Sequence, residues 1–170
     1  MDPTPTAPTL TVRPTTPADR DVLDRLWLLF RHDMSAVDGA LPDASGRFRD
    51  ERLRSALTDP AWSGFLATWG DSPVGFAFVR EVDGARRVLN SFFVVAAARR
   101  HGVGLALARH VVGRLPGHWE IAFQDANRPA AAFWRRAGDD VAPGAWTVEH
   151  RRVPNRPELA PDAWLVMSTA

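Results

Sequence analysis

Hydrophobic positions along the chain recur with two periods, near two and near 3.6 residues, and the switches between them mark out its elements. LTVRP at residues 10–14 alternates and reads as a first strand that stops at Pro14. Thr16, Pro17 and Asp19 then supply an N-cap, a first-turn proline and an acid at the positive end of a helix dipole. Leu23, Leu26, Trp27 and Phe30 follow at helical spacing, so the pattern predicts a helix over about residues 17–33. SAVDGALPDASG reads as a loop, and RFRDERLRSALTD as a shorter, charged helix ending before Pro60. Three apolar runs between Ser63 and Val95, split by Gly70-Asp71-Ser72-Pro73 and by Asp83-Gly84, fit an antiparallel meander of three strands. A helix from Gly102 to about Leu115, the strand WEIAFQD, the helix RPAAAFWRRAG and two strand candidates, AWTVEHRRV and AWLVMS, complete the chain. The order β-α-α-β-β-β-α-β-α-β-β, with no internal repeat, predicts a mixed α/β (α+β) fold with a partly antiparallel sheet. Residues 1–9, rich in Pro and Thr, read as a flexible N-terminus ahead of a single domain at 10–170. The early helices and their loop could wall a site, and AWLVMS could serve as an exposed edge that pairs with a copy of itself in a homodimer.

Composition narrows the chemistry. The chain has 170 residues, about the size of one domain. Its 21 basic residues, all arginine, nearly balance 20 acidic ones, for a formal charge of +1 with no long block of one sign. Nucleic acid is therefore not expected as a partner. The absence of cysteine excludes disulfides, thiolate zinc sites and a thiol nucleophile, and no metal is expected in the mechanism. No basic leader precedes an apolar stretch, and no apolar run approaches ~18 residues, so neither membrane nor export is expected and the cytoplasm is the default location.

The stretch AARRHGVGLALARHVV (Ala97–Val112) places Arg99, Arg100, His101, Gly102, Val103 and Gly104 between a strand and a helix. Unsatisfied N–H groups converge at such a helix start and suit an anion. Gly102 and Gly104 would remove side chains that keep a phosphate away, and the arginines add positive charge. With no lysine there is no G-x-x-x-x-G-K-[ST] loop, and no G-x-G-x-x-G precedes a βαβ unit, so neither of those nucleotide signatures applies. The pattern R-x-x-G-x-G at Arg99, Gly102 and Gly104, directly after SFFVV, resembles the pyrophosphate-binding loop of the GNAT superfamily of N-acetyltransferases. A second motif begins 25 residues beyond Gly102: Asn127, Ala130, Phe133, Trp134 and Gly138 fall on the family's N-x-x-A-x-x-F-[YW]-x-x-x-G. RHDMS, FFV, GHWEI and AFWR are further similar to a branch of that superfamily whose substrates are generally unassigned.

The resemblance covers roughly residues 10–170 and implies a mixed, mostly antiparallel central sheet of about six or seven strands flanked by about four helices. It implies acetyl-CoA as co-substrate. The strand near Phe93–Ala96 would part from Trp119–Gln124, and main-chain groups of Val94, Val95 and Ala96 would meet the pantetheine arm, with the Val94 N–H facing the thioester carbonyl. Amides of His101, Gly102, Val103, Gly104 and Leu105 would hold the diphosphate beside Arg99 and Arg100. Asn127, Phe133 and Trp134 would line the arm, although Asn127-Arg128-Pro129 also reads as an ordinary N-cap with proline just inside.

Amine acetylation needs a neutral nucleophile, a polarised carbonyl and a proton for the departing thiolate. Many relatives supply that proton from a tyrosine where this chain has Trp134, whose indole N–H donates hydrogen bonds but delivers no proton. Ser91 stands where relatives in the branch often carry a glutamate. Glu120, and Asp33 beside His32, are the candidate bases; each reads equally as a structural residue, Glu120 in a salt bridge and Asp33 at a helix end. Trp27, Trp62 and Trp146 sit on apolar runs and read as core. The expected activity is transfer of an acetyl group from acetyl-CoA to the amine of a small molecule in a ternary complex. An acyl-CoA-binding module, or acetylation of a protein amine, are the alternatives. Acceptor identity would lie in the loop Ser35–Phe48 and the last two strands.

Overall fold

The computed structural model describes residues 9–155, 157–158 and 160–170. The expected flexible N-terminus falls, apart from residue 9, outside them. Seven strands, β1 (Leu10–Pro14), β2 (Trp62–Trp69), β3 (Ser72–Arg80), β4 (Arg87–Val94), β5 (Gly117–Phe123), β6 (Trp146–Arg151) and β7 (Asp162–Thr169), form one sheet in the order β1-β2-β3-β4-β5-β7-β6. Every neighbouring pair is antiparallel except β4 and β5. Four helices, α1 (Arg20–Asp38), α2 (Glu51–Thr58), α3 (Val103–Arg114) and α4 (Arg128–Val141), complete the expected order.

Strand alternation sends apolar side chains to both faces, and each face takes a pair of helices. On one, Leu66, Phe76, Phe78 and Phe93 meet Leu23, Leu26, Trp27 and Phe30 of α1 and Leu53 and Ala56 of α2. Phe76 and Phe78 stack at 4.5 Å, and the Trp27 indole N–H donates to the Arg49 carbonyl at 2.9 Å, pinning the segment before α2. The opposite face joins Phe65, Ala77, Val79, Ile121 and Leu165 to Val103, Leu107 and Val111 of α3 and to Trp134 and Ala137 of α4. Because α1 and α2 pack chiefly on β2 and β3, the same face of β5 and β6 leaves Ala122 and Glu149 exposed. Asp19 ties β1 to the start of α1, accepting from Arg13 Nη1 at 2.8 Å and Nη2 at 2.6 Å and from the Thr16 N–H at 2.7 Å. Among the described residues no helix is long and apolar enough to cross a membrane.

Two expectations change. A 3-10 turn occupies Pro17–Asp19, and α1 then continues to Asp38, absorbing Ser35–Asp38 that composition assigned to the loop. The stop is Gly39, whose φ of 68° lies in the left-handed region. The strand AWLVMS is not an edge: β7 doubles back between β5 and β6, with Val166 opposite Glu120 on one side and Thr147 on the other. Its hydrogen-bonding sides are both taken, so it cannot pair with a second copy, and the sheet edges are β1 and β6.

Candidate active site

The parallel pair β4 and β5 is joined only at Arg87–Trp119, Val88–Glu120 and Leu89–Ile121. Beyond those pairs β4 runs on to Val94 and β5 to Phe123, and the sheet opens as a wedge between them. A β-bulge marks the branch point: Phe78 faces Ser91 and Val79 faces Leu89, leaving Asn90 as the extra residue. A bulge bends the strand that carries it, here where β4 and β5 part. The Val95 N–H bonds the Val74 carbonyl of β3 at 2.8 Å, so alternation turns the backbone groups of Val94 and Phe92 toward the gap. The Val94 N–H therefore faces the gap. Its carbonyl accepts from Arg99 Nε at 2.8 Å rather than standing unpaired.

The wedge leads into the arginine and glycine loop. After a 3-10 turn at Ala96–Ala98, Arg100 and Gly102 hold φ of 65° and 80°, and α3 starts at Val103. The first α3 bond runs from the Ala106 N–H to the Gly102 carbonyl at 2.9 Å, so the amides of Val103, Gly104 and Leu105 precede the helical ladder. At Gly102 a Cβ would meet nothing within 4 Å, and the backbone conformation alone calls for glycine. At Gly104 a Cβ would lie 3.1 Å from Phe133 Cε2, so the bare backbone there serves the close approach of α3 to α4. His101 sits in the same loop, its Nδ1 2.8 Å from the Arg99 carbonyl and its ring 5.5 Å from Trp69.

On α4 the Asn127 side chain accepts from the Ala130 N–H at 3.3 Å, so the N-cap reading holds in the structure. Phe133 and Trp134 form a ring cluster with Phe92 of β4, with centroids 4.8–5.5 Å apart. Trp134 is buried, and its indole packs beneath the sheet.

The two candidate bases occupy different surroundings. Asp33, in the last turns of α1, pairs with Arg99 Nη2, so one guanidinium links it to the Val94 carbonyl at the wedge; His32 Nδ1 lies 3.7 Å away. Glu120 is only 6% exposed, and its carboxylate accepts from Arg151 Nη1 at 2.9 Å, Arg151 Nη2 at 3.2 Å and Arg86 Nη1 at 3.2 Å. The bonds from Arg151, helped by the charge of Arg86, lower its pKa against the opposing effect of burial. A carboxylate so held is a weak proton acceptor, and the salt-bridge reading fits it better. Neither the meeting of Arg86 and Arg151 at Glu120 nor that of Arg52 with Asn90 was signalled by any spacing in the sequence, because each joins residues far apart in the chain. Arg52 donates to the Asn90 carbonyl at 3.4 Å, and Arg151 also lies over the Trp164 ring at 5.0 Å.

Comparison with known proteins agrees with this architecture. The family model described as Acetyltransferase (GNAT) family matches residues 23–139, which include both motifs. A search of curated proteins finds no match. Among solved structures, an acetyltransferase from Thermus thermophilus is similar at 22% identity and TM-score 0.67, covering 94% of this chain and 97% of that one. A ribosomal-protein alanine N-acetyltransferase from Escherichia coli aligns at 16% identity and TM-score 0.62, covering 95% and 96%. NAA60 of Arabidopsis thaliana, solved in complex with acetyl-CoA, aligns at 15% identity and TM-score 0.65, covering 95% and 98%. At such identities these structures speak to the fold alone, while the family match spans well over half of the chain. By its sequence match and its sheet, the chain belongs to the GNAT family and is an N-acetyltransferase.

Proposed function

We propose that the protein transfers the acetyl group of acetyl-CoA to the amine of a small molecule by direct attack within a ternary complex. The observation that carries this reading is the parting of β4 from β5 after Leu89 and Ile121, with backbone groups of Phe92 and Val94 turned into the gap and a left-handed loop at its end. An inward N–H inside a sheet is costly to leave unpaired, and an extended amide-bearing arm completes it. When bound, acetyl-CoA supplies an activated thioester carbonyl.

The amides of His101 to Leu105 hold the diphosphate with Arg100 beside them, and the Val94 N–H polarises the carbonyl. An arm that bonds the Val94 carbonyl competes with Arg99 for it. Displacing Arg99 takes from Asp33 its guanidinium partner, and Asp33 then receives the proton of the attacking amine, directly or through water. Water protonates the leaving thiolate, since the Trp134 indole cannot. Asn127 and Phe133 border the arm at the start of α4.

Thiol release from acetyl-CoA over a broad panel of amines tests the reading. Turnover is expected for the wild type, with kcat falling about a hundredfold in Asp33→Asn. Glu120→Gln is expected to keep kcat within a few-fold of the wild type. Coenzyme binding without thiol release for any amine contradicts the reaction, and a larger loss in Glu120→Gln than in Asp33→Asn at equal thermal stability exchanges their roles.

A further inference from the structure

At the branch point of the wedge the structure gathers polar groups that acetyl transfer itself does not use. Asn90 has no opposite residue on β3 and stands one position past the last β5 pair. Its carbonyl takes Arg52 Nη1 of α2, at 3.4 Å, a long and weak hydrogen bond. Ser91 is 3% exposed, and its hydroxyl reaches Asn90 Oδ1 only at 3.5 Å. Two register rows from Ser91, Arg80 lies opposite Val88, and its Nε is buried with no acceptor among the described residues.

Several arginines in this region have acid partners: Arg31 pairs with Asp38, Arg80 with Glu81, and Arg86 and Arg151 with Glu120. Arg52 has no carboxylate within ion-pair distance among the described residues. Arg52 is exposed on α2, and its pKa is lowered, first by partial desolvation and then by the charges of Arg31 and Arg80, against the opposing charges of Asp38 and Glu51. An exposed guanidinium with no carboxylate in contact, on the face shared by α1, α2 and Glu120, can receive an anion from outside. An arriving carboxylate offers a charge-assisted, two-pronged bond in place of one long bond to a carbonyl.

Resting on the acetyltransferase reading above, we infer that Arg52, backed by Asn90 and Ser91, binds a carboxylate of the acceptor, so that the acceptor is an amine carrying an acid at a distance. The spacing sets that distance. Asn90 and Val94 are four residues apart, about 13 Å along an extended strand. An α-amino acid is too short to place its nitrogen at Val94 and its carboxylate at Arg52, whereas an ω-amino acid is long enough.

The test compares a medium-chain ω-aminocarboxylate with the ω-amino alcohol of equal length, alongside calorimetric titration of acetyl-CoA. The wild type is expected to favour the carboxylate in kcat/KM by about tenfold or more. In Arg52→Gln the ratio should fall near one, and Arg52→Lys should restore it in part, since it keeps the charge and loses the fork. Both variants should still bind acetyl-CoA. Equal turnover of the two amines by the wild type, a preference that survives in Arg52→Gln, or acetylation of neither amine by coenzyme-bound enzyme overturns the carboxylate site. Failure of the wild type to bind acetyl-CoA overturns instead the reading on which the site rests.

Discussion

Arg100 holds φ of 65°, a conformation that costs a side-chain-bearing residue about 1 kcal/mol or more and that glycine adopts freely. It also carries positive charge into the loop assigned to the diphosphate. The two roles separate in Arg100→Gly, which should raise stability by roughly 0.5–1 kcal/mol in urea denaturation while weakening acetyl-CoA binding. Tighter binding in the variant would remove Arg100 from the cradle. Asp19 makes a different statement about pH. The Arg13 guanidinium, with the Thr16 N–H and hydroxyl, holds its carboxyl far below the ordinary range. A group with a depressed folded pKa contributes stability fully above its unfolded value of about 4 and loses it as pH falls toward the folded one. Asp19→Asn should therefore cost about 1–3 kcal/mol at neutral pH and flatten the loss of stability below roughly pH 4, read from melting curves across that range. Unchanged curves would mean that Arg13 and Asp19 hold nothing together.

Between elements, the contact that matters most is α3 against α4. A side chain at Gly104 would press on Phe133, which packs on Phe92 and Trp134 beside the wedge. Gly104→Val should raise the acetyl-CoA dissociation constant at least about tenfold, because α3 must retreat or the ring must turn into the gap. Affinity equal to the wild type would show that the ring cluster does not shape the site. These two helices were legible in the sequence because their signals are local: capping Asn127, Pro129 and the glycine spacing all lie within a few turns. The final turn of α1 was not, since Ser35–Asp38 tolerates either helix or loop and only the left-handed Gly39 decides the end. Glu120 shows the same limit for a site. Its partners Arg86 and Arg151 lie 34 and 31 residues away, and no local pattern announces that they converge.

At the scale of the whole molecule, one sheet carries both halves of the chemistry. Its parallel join at β4 and β5 opens toward the loop of α3, and the face flanked by α1 and α2 carries Asp33 and Arg52, the residues proposed to meet an acceptor. Strand order was the part of this plan least legible from the chain, because pairing across a sheet is non-local: β7 looked like an exposed end and instead fills the place between β5 and β6. The wedge itself was anticipated only through resemblance, and the bulge at Asn90 that accompanies it has no signature in NSFFV. The most direct test is backbone amide exchange at single-residue resolution, with and without acetyl-CoA. The amides of Val94 and of Val103 to Leu105 should slow markedly when the coenzyme is added, while the core of β3 stays unchanged. Exchange at Val94 and in that first turn of α3 that does not respond to saturating acetyl-CoA would contradict the assignment of the gap as its binding cleft.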